Sequence, residues 1–150
     1  MELAMLIGPP ASGKTTYYHT YFPDSHELIS LDVLKTRSHE KIHLDQLLVA
    51  RRPVVIDNTN VTVVDRARYI NLAKTMGYFV KGYVFKTDKA GCLRRNSQRT
   101  DKQPLPPVAI FTALKRLEPP SLDEGFDELY EVTLRSTGEF HVTPWTGSHE

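Results

Sequence analysis

The sequence predicts an α/β domain in which a parallel β-sheet is flanked by helices. Apolar runs of strand length alternate with segments of helical periodicity along the 150 residues, which is typical of βαβ units. The first run is continuously apolar, as a strand covered on both faces is. A complete glycine-rich motif follows that run and precedes a helical segment. We therefore expect one domain over residues 1–150.

Five strands account for the apolar runs. The third is rich in β-branched residues, which favour the extended conformation. After Ser136 the chain is turn-rich, and we expect this tail to form a short edge strand over Phe140–Trp145 or to be partly disordered. The five predicted strands are Leu3–Ile7, Glu27–Leu31, Pro53–Ile56, Tyr78–Phe85 and Tyr130–Leu134.

Five helices fill the intervals between the strands. The clearest begins at Thr62, where Thr62 and Asp65 form a capping-box pattern, and it ends before Gly77. Apolar residues between those signals recur at helical spacing. The predicted helices are Lys14–Tyr21, Glu40–Arg51, Thr62–Met76, Asp88–Gln98 and Pro107–Glu118.

The composition excludes several classes of protein. A formal net charge of +1 gives no global basic signature, so contact with nucleic acid would depend on local clusters of Arg and Lys. Cys92 is the only cysteine, which excludes an intramolecular disulfide. No apolar run has the length of a membrane helix, and the N-terminus lacks the basic start of a signal peptide. We expect a cytoplasmic protein with no membrane partner.

The glycine-rich motif is a phosphate-binding loop (P-loop). Residues 8–15 (GPPASGKT) fit G-x-x-x-x-G-K-[ST] in full. Gly8 and Gly13 permit backbone conformations in which successive N–H groups surround a phosphate. Lys14 would reach the β- and γ-phosphates, and Thr15 would supply a hydroxyl for Mg²⁺. The predicted binding residues for ATP, or another nucleoside triphosphate, in this segment are Gly8, Pro9, Pro10, Ala11, Ser12, Gly13, Lys14, Thr15 and Thr16.

Carboxylates follow the second and third predicted strands, at the edge of the sheet where ligands bind in open α/β folds. Asp32 could accept the proton of an attacking hydroxyl, or it could cap the next helix. Lys35, one helical turn later, could contact an anionic group on the acceptor. Asp57, followed by Asn58, could help to hold Mg²⁺, or it could form an Asx turn. The residues alone leave these alternatives open.

Positive charge is concentrated in residues 92–100 (CLRRNSQRT). Arg95 and Arg99 are four residues apart and are therefore predicted to share a helix face. Two guanidinium groups on one face could clamp phosphates as a lid closes, so Arg95 and Arg99 are added to the predicted ATP-binding residues. The alternative is a solvated helix face. The P-loop favours the lid, because phosphoryl transfer needs cations beyond Lys14.

Taken together, these segments resemble the kinase module of polynucleotide kinases, the 5′-hydroxyl kinases of nucleic-acid end repair. GPPASGKTT, ISLDVLK, VVIDNTN followed by RARYINLAK, LRRNSQR and PPVAIFTALKRLEPPSLDEGF occur in this order. The resemblance covers Met1 to about Val132. It implies a P-loop kinase fold with a small arginine-bearing lid, which transfers the γ-phosphoryl group of ATP to the 5′-hydroxyl end of DNA or RNA.

The resemblance also implies residue roles. Asp32 would be the general base on the 5′-hydroxyl, and Lys35 lies where the family usually places an arginine near the acceptor phosphate. Arg95 and Arg99 match the arginines that grip the donor phosphates. The implied catalytic residues are Lys14, Asp32, Arg95 and Arg99, the acceptor-binding residues Asp32, Lys35 and Asn58, and the magnesium ligands Thr15 and Asp57.

The chain departs from the family pattern beside Asp32. Several members carry a basic residue before this aspartate and a second acid after it, where this chain has Leu31 and Val33. Lys35 lacks the bidentate fork of an arginine. We find no D-x-D-x-T phosphatase motif and expect a stand-alone kinase module. Two other functions remain open, namely a kinase of a nucleoside, sugar or antibiotic, and a nucleotide-binding switch or ATPase without an acceptor.

Overall fold

Six strands form one sheet in the order β2-β3-β1-β4-β5-β6 in a computed structural model, which describes residues 1–99 and 104–147. Neighbouring strands are parallel except for β5 and β6, which are antiparallel. The predicted sheet flanked by helices is thereby confirmed. The strands are β1 (Glu2–Ile7), β2 (Glu27–Ile29), β3 (Val54–Asp57), β4 (Phe79–Lys86), β5 (Glu128–Leu134) and β6 (Phe140–Pro144). The edge strand considered for the tail is β6, and residues 148–150 lie outside the described residues.

In the part of the chain that the structure describes, six α-helices connect the strands, together with a short 3₁₀ helix at Leu122–Glu124. None of the helices within the described ranges combines the length and apolar character of a membrane span. The helices are α1 (Lys14–Tyr21), α2 (Leu31–Leu34), α3 (Arg37–Val49), α4 (Val63–Thr75), α5 (Lys89–Ser97) and α6 (Pro107–Arg116).

Local capping corrects two predicted boundaries. The strand predicted to reach Leu31 ends at Ile29, because the Ser30 hydroxyl accepts a 3.2 Å hydrogen bond from the Asp32 N–H and starts α2. Ser30 therefore caps this helix, and the alternative in which Asp32 is the cap is wrong. The next helix begins at Arg37, three residues earlier than predicted, because Thr36 caps it by accepting from His39 N–H.

Apolar side chains cover both faces of the sheet. Helices α3 and α4 pack on one face, where Leu44, Leu48 and Ile70 meet buried residues of β1, β3 and β4. Helix α1 packs on the other face, where the Tyr17 ring lies 5.3 Å from the Phe85 ring and edge-on to it. Burial on both faces explains why the strands read as continuous apolar runs.

A buried ion pair holds the segment after α6 against α4. Arg66 Nε lies 2.8 Å from Glu124 Oε1, and the two side chains are 0% and 9% exposed. Arg66 Nη1 also donates to the carbonyl oxygen of Asn60, in the loop after β3. Glu124 lies in one of the segments that resemble polynucleotide kinases. It binds the same arginine of α4 that holds the loop after β3.

Candidate active site

A cleft of about 530 Å³ opens at the carboxyl edge of the parallel strands. The P-loop, the ends of β2 and β3 and the end of α5 meet there, as expected for an α/β sheet with the order β2-β3-β1-β4. The predicted site residues that line the cleft are Pro10, Ala11, Gly13, Lys14, Thr15, Thr16, Asp32, Asp57, Asn58, Arg95 and Arg99. The remaining four, which are not among its lining residues, are Gly8, Pro9, Ser12 and Lys35.

Two glycines shape the P-loop. Gly13 has φ of 101° and precedes α1, in a conformation that other residues adopt only at a cost. Gly8 is closely surrounded, because an added Cβ would lie 3.0 Å from Ser12 Oγ and 3.1 Å from Phe85 Cβ. The N–H of Gly8 donates a 2.9 Å hydrogen bond to the carbonyl oxygen of Thr59. The start of the loop is therefore fixed to the segment that follows β3.

Lys14 lies folded into the P-loop, with only 7% of its surface exposed. Its Nζ donates to the carbonyl oxygens of Gly8 at 2.9 Å and Pro9 at 2.7 Å. Burial lowers the pKa of Lys14 to about 8, although the negative charge of Asp57 opposes the shift. A phosphate oxygen is a stronger acceptor for an ammonium than a carbonyl is. The position of Lys14 therefore suits contact with an anion bound in the loop.

Thr15 and Asp57 are joined by a hydrogen bond of 2.8 Å from Thr15 Oγ1 to Asp57 Oδ2. They meet because β1 and β3 are adjacent and parallel, with Leu6 paired to Asp57. A hydroxyl and a carboxylate are oxygen ligands that fit Mg²⁺, which usually completes its shell with water and substrate phosphates. No group of three or more His, Cys, Asp or Glu residues capable of holding a metal occurs within the described ranges.

Asp32 is the second residue of α2, and its exposed side chain lines the cleft. The backbone around it is fixed from two sides. The Ser30 hydroxyl binds the N–H of Asp32, and the Oδ1 atom of Asn58 accepts a 3.0 Å hydrogen bond from the N–H of Leu31. The end of β3 thus positions the segment that carries the candidate base.

Behind that segment lies a hydrogen-bonded cluster of Arg37, Glu40, Asn58 and Tyr69. Asn58 Nδ2 donates to Glu40 Oε2 at 2.8 Å and to the Tyr69 hydroxyl at 2.9 Å. That hydroxyl donates to Glu40 Oε1 at 2.8 Å and accepts from Arg37 Nη1 at 2.7 Å. Burial and the bond to Glu40 raise the pKa of Tyr69 to about 12. Because its amide is engaged in this cluster and with Leu31, the acceptor contact expected for Asn58 stays a prediction.

Arg37 lines the cleft, although the sequence analysis did not single it out. Its side chain is half exposed and lies 3.1 Å from the buried carboxylate of Glu40. Lys35, by contrast, is an exposed residue that ends α2 with φ of 73°, and its contact with the acceptor stays a prediction. The available signal was Thr36, a favourable N-cap that would have placed Arg37 in the first turn of a helix. The other lining residues that were not predicted are His19, Leu31, Thr59, Asn60, Asp65 and Leu105.

The candidate lid arginines differ in position from the prediction. Helix α5 ends at Ser97, so Arg99 lies beyond it and does not share a helix face with Arg95. Both nevertheless line the cleft, whereas Arg94 is exposed and does not. Arg95 Nε donates a 2.7 Å hydrogen bond to the carbonyl oxygen of Ala11, and its Nη2 donates to Thr87 Oγ1. Arg95 is therefore held against the P-loop.

Comparison with known proteins identifies the family of this chain. The AAA domain family matches residues 36–120, which begin after the P-loop. A bifunctional polynucleotide phosphatase/kinase of Schizosaccharomyces pombe is 27% identical over 146 residues, which are 95% of this chain and 36% of that protein. A similarly named relative from Acanthamoeba polyphaga mimivirus is 31% identical over 140 residues, 89% of this chain and 33% of that protein. The resemblance to the polynucleotide kinase family is thus confirmed, and the chain spans about a third of the length of these relatives.

A solved structure gives independent support for the fold. A gluconokinase from Sinorhizobium meliloti 1021 has a TM-score of 0.60 and 18% identity, over 88% of this chain and 82% of that one. At this identity the likeness concerns the fold alone. The family and the kinase-named relatives together support a phosphotransferase that uses a nucleotide.

Proposed function

The chain belongs to the AAA domain family, and from that premise we propose that it is a kinase which transfers the γ-phosphoryl group of ATP to the 5′-hydroxyl end of a polynucleotide. One observation carries the proposal. Asp32 lines the same cleft as Lys14, Thr15 and Asp57, so a hydroxyl beside Asp32 would face a nucleotide held by the P-loop. The names of the two relatives support a polynucleotide as acceptor.

On the donor side, the P-loop would hold the phosphates of ATP. Its backbone N–H groups and the N-terminus of α1 face an anion bound there. Lys14 would exchange the carbonyl oxygens of Gly8 and Pro9 for phosphate oxygens. Thr15 and Asp57 would hold Mg²⁺, which neutralises charge on the β- and γ-phosphates.

On the acceptor side, Asp32 would accept the proton of the 5′-hydroxyl as the hydroxyl oxygen bonds to the γ-phosphorus. The bond between that phosphorus and the bridging oxygen breaks, and ADP leaves with the electron pair. Such proton transfer by a positioned group contributes about a hundredfold to ten-thousandfold in rate. The hydrogen bonds that the backbone N–H groups of Leu31 and Asp32 donate to Asn58 Oδ1 and the Ser30 hydroxyl hold Asp32 in place.

Three arginines that line the cleft would contact phosphates of the donor or the acceptor. Arg95 is fixed to the P-loop by its bond to the Ala11 carbonyl, and Arg99 lies close enough to Lys14 to contribute to lowering its pKa. These arginines would contact the donor phosphates. Arg37 lies on the Asp32 side of the cleft and would contact a phosphate of the acceptor, together with or in place of Lys35.

Label transfer tests the proposal directly. The protein is incubated with Mg²⁺, γ-labelled ATP and an oligonucleotide that carries a 5′-hydroxyl, and a matched oligonucleotide with a 5′-phosphate is the control. We expect label on the first oligonucleotide and none on the second. Release of labelled inorganic phosphate with no labelled oligonucleotide would favour an ATPase or switch. Label on a nucleoside or sugar but never on an oligonucleotide would favour a small-molecule kinase.

A further inference from the structure

A groove between α3 and α4 adjoins the cleft at Arg37. Its volume is about 610 Å³, and Arg37 lines both the groove and the cleft. Helices α3 and α4 both start at the carboxyl edge of the sheet and run toward the opposite edge, because each leads into a parallel strand. A chain that leaves the cleft past Arg37 would therefore enter this α3–α4 groove.

The groove carries more positive than negative charge, although the whole chain has a net charge of only +1. The charged lining residues are Arg37, Glu40, Lys41 and Arg68. The only acid among them, Glu40, is buried and bonded to Arg37. Lys41 lies 3.0 Å from Asp45, but this pair is exposed and such pairs contribute little.

Among the cations that line the groove, Arg68 is the one that the fold itself does not use, because Arg37 pairs with Glu40 and Lys41 with Asp45. It is exposed on α4, and within residues 1–99 and 104–147 its side chain has no hydrogen-bond or ion-pair partner. Its neighbours in the groove include the apolar side chains of Leu44 and Leu72. An unpaired guanidinium beside an apolar floor is a suitable contact for a phosphate whose sugar and base lie against that floor.

We propose that the α3–α4 groove binds the acceptor strand beyond its first nucleotide. The occupant is a single-stranded polynucleotide, whose phosphates contact Arg37, Arg68 and Lys41 in turn. From Arg37 to Lys41 helix α3 rises about 6 Å, roughly twice the spacing of successive phosphates on a stacked strand. Contacts to phosphates carry no sequence information, so acceptors of different sequence should bind alike.

This inference rests on the proposed function, and the experiment separates the two. KM is measured for a 5′-hydroxyl oligonucleotide and for a nucleoside 3′-monophosphate, whose single phosphate would contact Arg37 but would not reach Arg68 or Lys41. The variants are Arg68→Glu, Lys41→Glu and the conservative Arg68→Lys. The matched control is Arg52→Glu, which makes the same change of charge just before β3, where the amino ends of the parallel strands lie.

We expect Arg68→Glu to raise the KM of the oligonucleotide by roughly tenfold or more, because a hydrogen bond to a charged group is lost. The KM of the nucleoside 3′-monophosphate stays unchanged in the same variant. Lys41→Glu should raise the KM of the oligonucleotide by a smaller factor. Arg68→Lys should keep most of the affinity for the oligonucleotide, and Arg52→Glu should have the KM of the wild type.

Salt dependence gives a second readout. Each phosphate neutralised on a single strand contributes about −0.7 to the slope of log affinity against log salt concentration. The slope for the oligonucleotide should therefore become less negative by about 0.7 in Arg68→Glu and stay unchanged in Arg52→Glu.

Three results would overturn the proposal. If Arg68→Glu and Arg52→Glu give the same oligonucleotide KM and salt slope, the groove is not the path, while the proposed function stands. If Arg68→Glu raises the KM of the nucleoside 3′-monophosphate as much as that of the oligonucleotide, Arg68 acts through the cleft or the fold. If the wild type phosphorylates no 5′-hydroxyl end at all, both the groove and the proposed function fail.

Discussion

The guanidinium of Arg95 is fastened to the P-loop, because its Nε donates a 2.7 Å hydrogen bond to the carbonyl oxygen of Ala11. Ala11 itself has φ of 61°, and Arg95 Nη2 is held by Thr87 Oγ1 at 2.7 Å. These contacts join α5 to the loop that would bind the donor phosphates. An arginine already placed at a phosphate site loses little side-chain entropy when the phosphate binds.

Alanine substitution should therefore distinguish the arginines of this segment. Arg95→Ala and Arg99→Ala should each lower the rate of transfer roughly a thousandfold if they stabilise the transferring group. Arg94→Ala is the control, because Arg94 is exposed and does not line the cleft. It should keep near-normal activity. Equal, small losses of kcat in all three variants would mean that these arginines only interact with solvent.

The affinity for ATP should depend on pH through Lys14. Burial lowers the pKa of Lys14 to about 8, and phosphate favours its charged form. Below that pH the ammonium is present before ATP binds. Above it a proton must be taken up with ATP, so affinity falls as pH rises, by at most about tenfold per pH unit for one proton. Titration with a fluorescent ATP analogue measures this. The Lys14→Gln variant should bind weakly at every pH, and an equally flat profile in the wild type would contradict the expectation.

Asp32→Asn should separate catalysis from folding. Removal of the base should lower kcat by about a hundredfold to ten-thousandfold while the KM for ATP changes little. The melting temperature should stay near that of the wild type, because the Ser30 hydroxyl and not Asp32 caps α2. A variant that melts earlier but retains its specific activity would show that Asp32 supports the fold rather than the reaction.

Tyr69→Phe should disturb the cluster that holds Arg37. The ring is 1% exposed and would remain packed, but Glu40 and Asn58 would each lose a partner. We expect the free energy of unfolding to fall by about 1–3 kcal/mol, measured by urea denaturation. The oligonucleotide KM should rise more than the KM for ATP. The control is Tyr21→Phe, because Tyr21 is 52% exposed. Equal effects of the two substitutions on stability and KM would rule out the role assigned to the cluster.

Much of the donor side was predictable from the sequence, because its signals are local. The P-loop motif sets the backbone that surrounds a phosphate, and it lies directly after β1. The meeting of Thr15 and Asp57 also follows from the order of parallel strands, since residues that end adjacent strands lie side by side. Continuous apolar runs predicted the strands to within a few residues.

The acceptor side was harder to predict, because its contacts join residues that are distant in sequence. The bonds of Tyr69 to Arg37 and Glu40 depend on α3 and α4 being neighbours on one face of the sheet. Ile29 and Leu31 are both apolar residues of the run that was predicted as one strand, yet capping by Ser30 places Ile29 in β2 and Leu31 in α2. Helical spacing likewise says nothing about where α5 ends, which determines the position of Arg99.

The choice of acceptor is the decisive property of a polynucleotide 5′-kinase. The measurement is kcat/KM of the wild-type protein for a nucleoside, for its 3′-monophosphate and for a 5′-hydroxyl oligonucleotide, with ATP hydrolysis recorded in parallel. We expect the nucleoside 3′-monophosphate and the oligonucleotide to be phosphorylated far better than the nucleoside, because Arg37 or Lys35 contacts the first phosphate. Lys35→Ala and Arg37→Ala should reduce this preference. Equal kcat/KM for all three acceptors, or ATP hydrolysis with no phosphorylated acceptor, would show that the protein is not a polynucleotide 5′-kinase.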